Sequence, residues 1–221
     1  MKNWKKMMSA ALTAAMTVTM LAGCGGGETE KGSSDTIKIG GIGPVTGDAA
    51  IYGEAVKNGA ELAVKEINEA GGINGAQIEF NFQDDEADAE KAVNAYNTLK
   101  DWGMQALLGT VTSAPCVAVG EVAQADNMFL LTPSGTAVEC VQYDNAFRVC
   151  FSDPMQGAES AKYIADNQLA TKIAVIYNSS DVYSTGIYQA FAKEAETEGL
   201  EIVAAEAFTA ESKTDFSVQL Q

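Results

Sequence analysis

Residues 37–75 read IKIGGIGPVTGDAAIYGEAVKNGAELAVKEINEAGGING, and the fold class rests on how this stretch is punctuated. Thr36–Gly40 is a short β-rich run, and a glycine-rich turn follows it through Gly47. From residue 53 to 70 the periodicity changes: Val56, Ala60, Ala63, Ile67 and Ala70 recur at intervals of 4, 3, 4 and 3, the spacing of an amphipathic helix. Gly71-Gly72 then predicts a left-handed stop, because only glycine enters that conformation without a steric cost. Strand, glycine turn and helix in that order form the opening step of an α/β fold.

The same alternation continues outward. Ile78, Phe80 and Phe82 alternate with polar residues over 77–83, predicting a second strand, followed by a helix over 87–101 and a strand over 105–108. A helix near 115–126, a strand over 128–132, a helix over 155–168, an apolar strand over 173–177, a helix over 184–198 and a strand over 200–205 complete the series. Continuous apolar strands joined by helices imply parallel sheets buried on both faces and linked by right-handed crossovers. The expected fold is therefore α/β, with two doubly wound lobes over 36–146 and 147–221 and a crossing near 144–153. About four strands fall in the first lobe and two in the second. Two strands do not readily bury a sheet, so the second lobe is expected to be incomplete. Thr214–Gln221 predicts the first turns of a helix with Thr214 as its N-cap, and neither a C-cap nor a further strand follows.

The amino end carries a different message. Met1–Lys6 holds three lysines, Met7–Leu21 is uncharged, and Leu21-Ala22-Gly23-Cys24 ends the run. This is a secretory signal pattern, with an apolar span too short to be a membrane-crossing helix. Its ending resembles a bacterial lipobox, which implies cleavage after residue 23 and lipid attachment at Cys24. Residues 24–35, rich in Gly, Ser and charge, read as a flexible tether. Removing Lys2, Lys5 and Lys6 leaves 11 basic against 30 acidic residues, a charge of −19 that repels nucleic acid and anionic headgroups. The chain has no histidine, which excludes Ser/His and Cys/His catalytic pairs and histidine metal sites. Cys116, Cys140 and Cys150 have no CxxC spacing; they permit at most one intramolecular disulfide and read mainly as small buried residues.

Candidate chemistry lies after the strands. Gly41-Ile-Gly43-Pro-Val-Thr-Gly47 sits where a dinucleotide loop would, with Asp84 and Asp85 where a ribose-binding acid belongs. The spacing is GxGxxxG, however, and Pro44 removes a phosphate-binding amide. No cofactor is therefore expected. Gly109–Ser113, Thr132–Thr136 and Asn178–Tyr183 all fall just past strand ends, the edge at which open α/β sheets bind ligands. Hydroxyls and free amides at helix N-termini can hold a carboxylate, although the same residues also serve as helix caps.

The segments 37–75, LLGTVTSAP (107–115), LLTPSGTA (130–137), FRVCFSDPMQG (147–157) and IAVIYNSSDVYSTG (173–186) together resemble the type I periplasmic substrate-binding proteins. Among these the chain is most similar to the leucine/isoleucine/valine-binding family of ABC importers, over Thr36–Gln221. The resemblance implies two hinged lobes that close over an amino acid. It implies that Ser113 grips the ligand carboxylate and that Thr136 meets its amino and carboxylate groups, with Ser134 and Gly135 adding backbone groups. Tyr52 would line the side-chain pocket and Tyr183 would close from the second lobe. Asp153 is either a second-lobe contact or a helix cap before Pro154.

A further aromatic and an acidic partner for the ligand ammonium would lie beyond Gln221. Residues 1–221 alone are thus expected to bind weakly, since a buried unpaired ammonium is strongly unfavourable. The family's first-lobe disulfide also lacks a partner: Cys116 is near one position, but Glu86 or Ala87 occupies the other. The expected protein is a lipid-anchored, extracytoplasmic solute-binding component of an ABC importer, with a membrane permease as partner, no nucleic acid contact and no catalytic step. A ligand-sensing receptor domain is the alternative, as is, more remotely, an exported enzyme.

Overall fold

Strands that alternate with helices pair in parallel throughout this chain. The computed structural model describes residues 36–221; the expected signal segment 1–23, the expected tether 24–35 and Cys24 lie outside the described residues. The elements are β1 (Ile37–Gly43), α1 (Ala50–Glu69), β2 (Ile78–Asp84), α2 (Ala89–Trp102), β3 (Ala106–Gly109), α3 (Ser113–Ala125), β4 (Leu130–Thr132), β5 (Ala146–Arg148), α4 (Asp153–Asp166), β6 (Lys172–Asn178), α5 (Val182–Thr197) and β7 (Glu201–Phe208). A short 3₁₀ turn, Val138–Val141, lies between β4 and β5.

The first sheet has the order β2-β1-β3-β4-β5, all parallel. The chain steps outward from β1 to β2, then back across β1 to β3. Right-handed crossovers therefore place α1 on one face and α2 and α3 on the other. The reversal leaves a crevice beyond the C-terminal ends of β1 and β3. On the α2/α3 face, Ile42, Leu107, Leu130 and Ala146 pack with Tyr96, Leu99, Cys116, Val119 and Ala123 into the main core. On the other face, Phe82, Gly41, Leu108, Leu131 and Phe147 share one register row. Gly41 is needed there, since a Cβ would come within 2.4 Å of the Phe82 ring. The far end of this row stays open, with exposed Phe129 and Phe147 stacked at 5.3 Å.

Four expectations change. The inward face of α1 is Val56, Ala60, Val64 and Asn68, whereas Ala63 and Ile67 point outward. Asn68 fixes this rotation by exchanging two hydrogen bonds with the Ile78 backbone, at 2.9 and 2.8 Å. The first sheet has five strands rather than about four, because Ala146–Arg148 pairs with β4. The second sheet, β6-β7, is not buried on both faces. Ala161 and Ile164 of α4 and Phe191 and Ala195 of α5 cover the same side, over Ile173, Val175 and Ile202, leaving Ile176 and Val203 exposed. Lastly, the segment after Thr214 makes a single turn (Leu220 N–H to Phe216 C=O, 3.1 Å) capped by Asp215, not Thr214.

The stop after α1 follows expectation. Gly71 and Gly72 have φ of 105° and 77°, and the Gly72 N–H closes onto the Ile67 carbonyl at 2.9 Å.

Candidate functional site

The loop after β1 is closed from within. The Val45 N–H and Thr46 hydroxyl donate to the Asp84 carboxylate at 3.0 and 2.6 Å, and the Glu86 N–H adds a third bond at 2.9 Å. Partial burial raises the Asp84 pKa, but these bonds outweigh it and hold the group below the ordinary carboxylate range. Asp84 is thus committed to the loop. Its neighbour Asp85 is buried and pushed up to about 6, chiefly by burial; one oxygen accepts the Ala87 N–H at 2.9 Å and the other has no partner. A ribose-binding acid at this edge is therefore absent in the form the dinucleotide pattern requires.

The opposite wall of the crevice is built from the ends of β3 and β4. Gly109, with φ of 141°, lets β3 turn away where a Cβ would meet the Ile42 carbonyl at 2.5 Å. The helix α3 then begins at Ser113, two residues earlier than the sequence period indicates, because Pro115 is tolerated in a first turn. Thr112, its N-cap, makes no capping bond, so the first-turn amides of Ser113 and Ala114 are not taken up among the described residues. Ser113 is 6% exposed, and its Oγ accepts the N–H groups of Thr136 and Ala137 at 3.2 and 3.3 Å. Both acceptor positions of the hydroxyl are thereby used. Its proton has no oxygen or nitrogen acceptor among the described residues; the Cys140 thiol beside it is a poor one.

The turn Ser134–Ala137 is held on all sides. The Thr132 hydroxyl donates to the Thr110 carbonyl at 2.7 Å and accepts the Gly135 N–H at 2.8 Å. The Ser134 hydroxyl donates to the Val111 carbonyl at 2.6 Å. The structure thus commits the Ser134 side chain and the Gly135 amide internally, and Gly135 is required for packing, since a Cβ would lie 2.8 Å from Thr132 Oγ1. Sequence reasoning missed Arg148, the only arginine in the chain: its Nη1 donates to the Thr136 and Ala137 carbonyls at 2.9 and 3.0 Å. A lone arginine at the end of a strand beside the turn was the available signal.

Ser113, Ser134, Gly135 and Thr136 are brought together; the two tyrosines stand apart from them. Tyr52 is exposed in the first turn of α1, and Tyr183 is half-exposed in the first turn of α5, where the Asp181 side chain accepts its N–H. Neither ring hydroxyl makes a hydrogen bond among the described residues. Asp153 is not the cap of α4, which is Ser152; it is the first helical residue, 1% exposed. Its N–H donates to the Thr136 carbonyl at 2.9 Å. The carboxylate lies against the Thr136 hydroxyl without a well-formed bond, and burial raises its pKa despite Thr136 and Arg148. Behind it, Glu139, Val182, Thr185 and Lys193 line a cavity of about 390 Å³.

A parallel sheet with a reversal crevice, carrying hydroxyls and unclaimed helix amides at its rim, is the arrangement at which open α/β sheets commonly take small molecules. The periplasmic binding protein family matches residues 36–221, and the chain belongs to that family. It is 35% identical over 187 residues to the leucine-, isoleucine-, valine-, threonine- and alanine-binding protein of Pseudomonas aeruginosa, covering 84% of this chain and 50% of that one. The branched-chain amino acid transporter substrate-binding protein LivJ of Streptococcus pneumoniae, solved with isoleucine, superposes with a TM-score of 0.75 at 35% identity, over 84% of this chain and 53% of that one. The leucine-binding protein LivK of Thermotoga maritima gives 0.76 at 28% identity, over 84% and 52%. The chain spans about half the length of the relatives it matches.

Proposed function

We propose that this protein is the extracytoplasmic binding component of an ABC importer and takes branched-chain or similar amino acids, as the names of its relatives indicate for them. The observation that carries the reading is the Ser113 hydroxyl. With both acceptor positions filled by backbone amides, it can act only as a donor, next to the unclaimed Ala114 N–H. A hydroxyl polarised in this way and a helix N-terminus together suit a carboxylate, without a full positive charge. Thr136 meets the same ligand from the facing turn. Tyr52, at the start of α1, and Tyr183, at the start of α5, contact the ligand only when it bridges the lobes over 36–146 and 147–221. Ligand then favours the closed arrangement, which a membrane permease recognises. In this reading Cys24 carries a lipid that keeps the protein at the membrane, and the reaction is binding without catalysis.

A thermal-shift screen of the purified protein tests the reading, using leucine, isoleucine, valine, other amino acids, small carboxylates, sugars and nucleosides up to millimolar concentration. Stabilisation by aliphatic amino acids, lost when the carboxylate is replaced by an amide, is the expected result. A response confined to sugars or nucleosides refutes it. Metabolic labelling with a fatty acid tests the anchor, and Cys24→Ser should abolish incorporation.

A further inference from the structure

Three free thiols gather around the turn that carries Thr136, and two of them are buried in the same core cluster. Cys116, in the first turns of α3, and Cys140, in the 3₁₀ turn, are 0% and 1% exposed. The Cys116 Sγ lies 4.0 Å from the Cys140 carbonyl, and the Cys140 Sγ lies 3.8 Å from the Ser113 carbonyl. Both flank the space that Gly135 leaves open: an atom at the missing Cβ would be 3.1 Å from Cys140 Sγ and 3.4 Å from Cys116 Cβ. Cys150 is half-buried on a separate approach, donating to the Gly135 carbonyl at 3.6 Å.

We propose that Cys116 and Cys140 form a disulfide that fastens the first turns of α3 to the turn carrying Thr136, directly beneath the Ser113 hydroxyl. The neighbouring thiol favours the ionised form of Cys116 and opposes that of Cys140, which burial opposes further. With Cys116 as the attacking thiolate the product is the same as with Cys140. The attack breaks the sulfur–sulfur bond of a disulfide oxidant, either a small-molecule disulfide or the disulfide of a thiol oxidase, and releases one thiolate. Cys140 then displaces the second sulfur, forming the Cys116–Cys140 bond. The oxidant gains two electrons, and the two thiol protons end on its released thiols. Because both sulfurs are buried, exchange proceeds in the folding or locally opened chain. An extracytoplasmic location favours the oxidised form. Only this last point depends on the proposed function; the bond itself does not.

The test uses the full chain, equilibrated with oxidised glutathione at pH 8 and then denatured in N-ethylmaleimide before peptide mass spectrometry. The expected result is one linked pair, Cys116–Cys140, with Cys150 alkylated. Oxidation should raise Tm by roughly 5–10 °C for a closed loop of this size, reversibly with dithiothreitol. Cys150→Ser should retain the link and the shift. Alkylation of all three thiols, or a bond from Cys116 or Cys140 to Cys150 or Cys24, overturns the proposal. A correct link with no gain in Tm refutes the fastening role. A correct link in a protein that ignores amino acids would leave the disulfide standing and the binding reading failed.

Discussion

Ser113→Ala separates a fastening role from a ligand-gripping one. Removing the hydroxyl strands two amides, those of Thr136 and Ala137, in a buried turn. An unpaired buried amide costs about 1–3 kcal/mol, and bonds of 3.2 and 3.3 Å are at the weak end, so the expected loss of stability is about 2 kcal/mol. Urea unfolding followed by tryptophan fluorescence reads that loss. If the freed proton of Ser113 also meets a ligand carboxylate, the substitution removes a hydrogen bond to a charged group, worth about 1.5–3 kcal/mol, or a roughly 10- to 150-fold rise in Kd. Titration calorimetry with leucine and with leucinamide isolates this second effect. The unsubstituted protein should prefer the acid, and the variant should lose most of that preference. A variant destabilised by about 2 kcal/mol that keeps its acid-over-amide preference within twofold would show that Ser113 only ties the turn, and the carboxylate argument would fail.

Three further outcomes follow from the same geometry. Gly135→Ala forces a methyl to within 2.8 Å of Thr132 Oγ1 and 3.1 Å of Cys140 Sγ, so thermal unfolding should show a loss of about 1–3 kcal/mol; an unchanged Tm would mean that the turn is loosely packed. Arg148→Met removes one guanidinium from two carbonyls and should cost about 2 kcal/mol, read by urea unfolding, with a larger loss at pH 7 than at pH 4 because Arg148 also restrains the pKa of buried Asp153. Asp85 holds its proton more tightly when folded than when unfolded, since its pKa rises from an ordinary 3.8 to about 6. Its contribution is therefore most favourable at low pH and declines by about 3 kcal/mol as pH rises through that window. Asp85→Asn keeps the acceptor for Ala87 and should flatten this segment of the stability–pH curve; an unchanged slope would refute the assignment.

Much of the architecture was legible because it is local. The strand, glycine turn and helix of 37–75 are set by propensity and period, and the stop at Gly71-Gly72 is set by backbone sterics. The clustering of Ser113 with the 134–136 turn was also legible, since both follow strands that neighbour one another in a parallel sheet. What was not legible depends on partners distant in sequence. Three-residue β5 is too short to carry a period, and exists because β4 offers an edge. Ile173–Tyr177 reads as a strand buried twice over, but burial of its second face depends on what packs there, and both α4 and α5 pack on the first. Arg148 could be noticed as a lone arginine at a strand end, but its role could not be read, because its partners are carbonyls, which no side-chain motif records.

The Thr136 carbonyl is the point at which these long-range contacts meet. It accepts from Arg148, at the end of the first sheet, and from the backbone N–H of Asp153, at the start of α4. The Thr136 amide, one bond plane away, is held by Ser113. A single peptide segment therefore connects the Ser113 hydroxyl, the edge strand and the helix that leads into the second sheet. Any shift of α4 against the first sheet must either break the Asp153-to-Thr136 bond or carry Thr136 with it. Because Asp153 is buried, bulk water cannot readily replace the lost bond. The lower-cost route is for the two to move together, which couples the position of the Thr136 turn to that of α4.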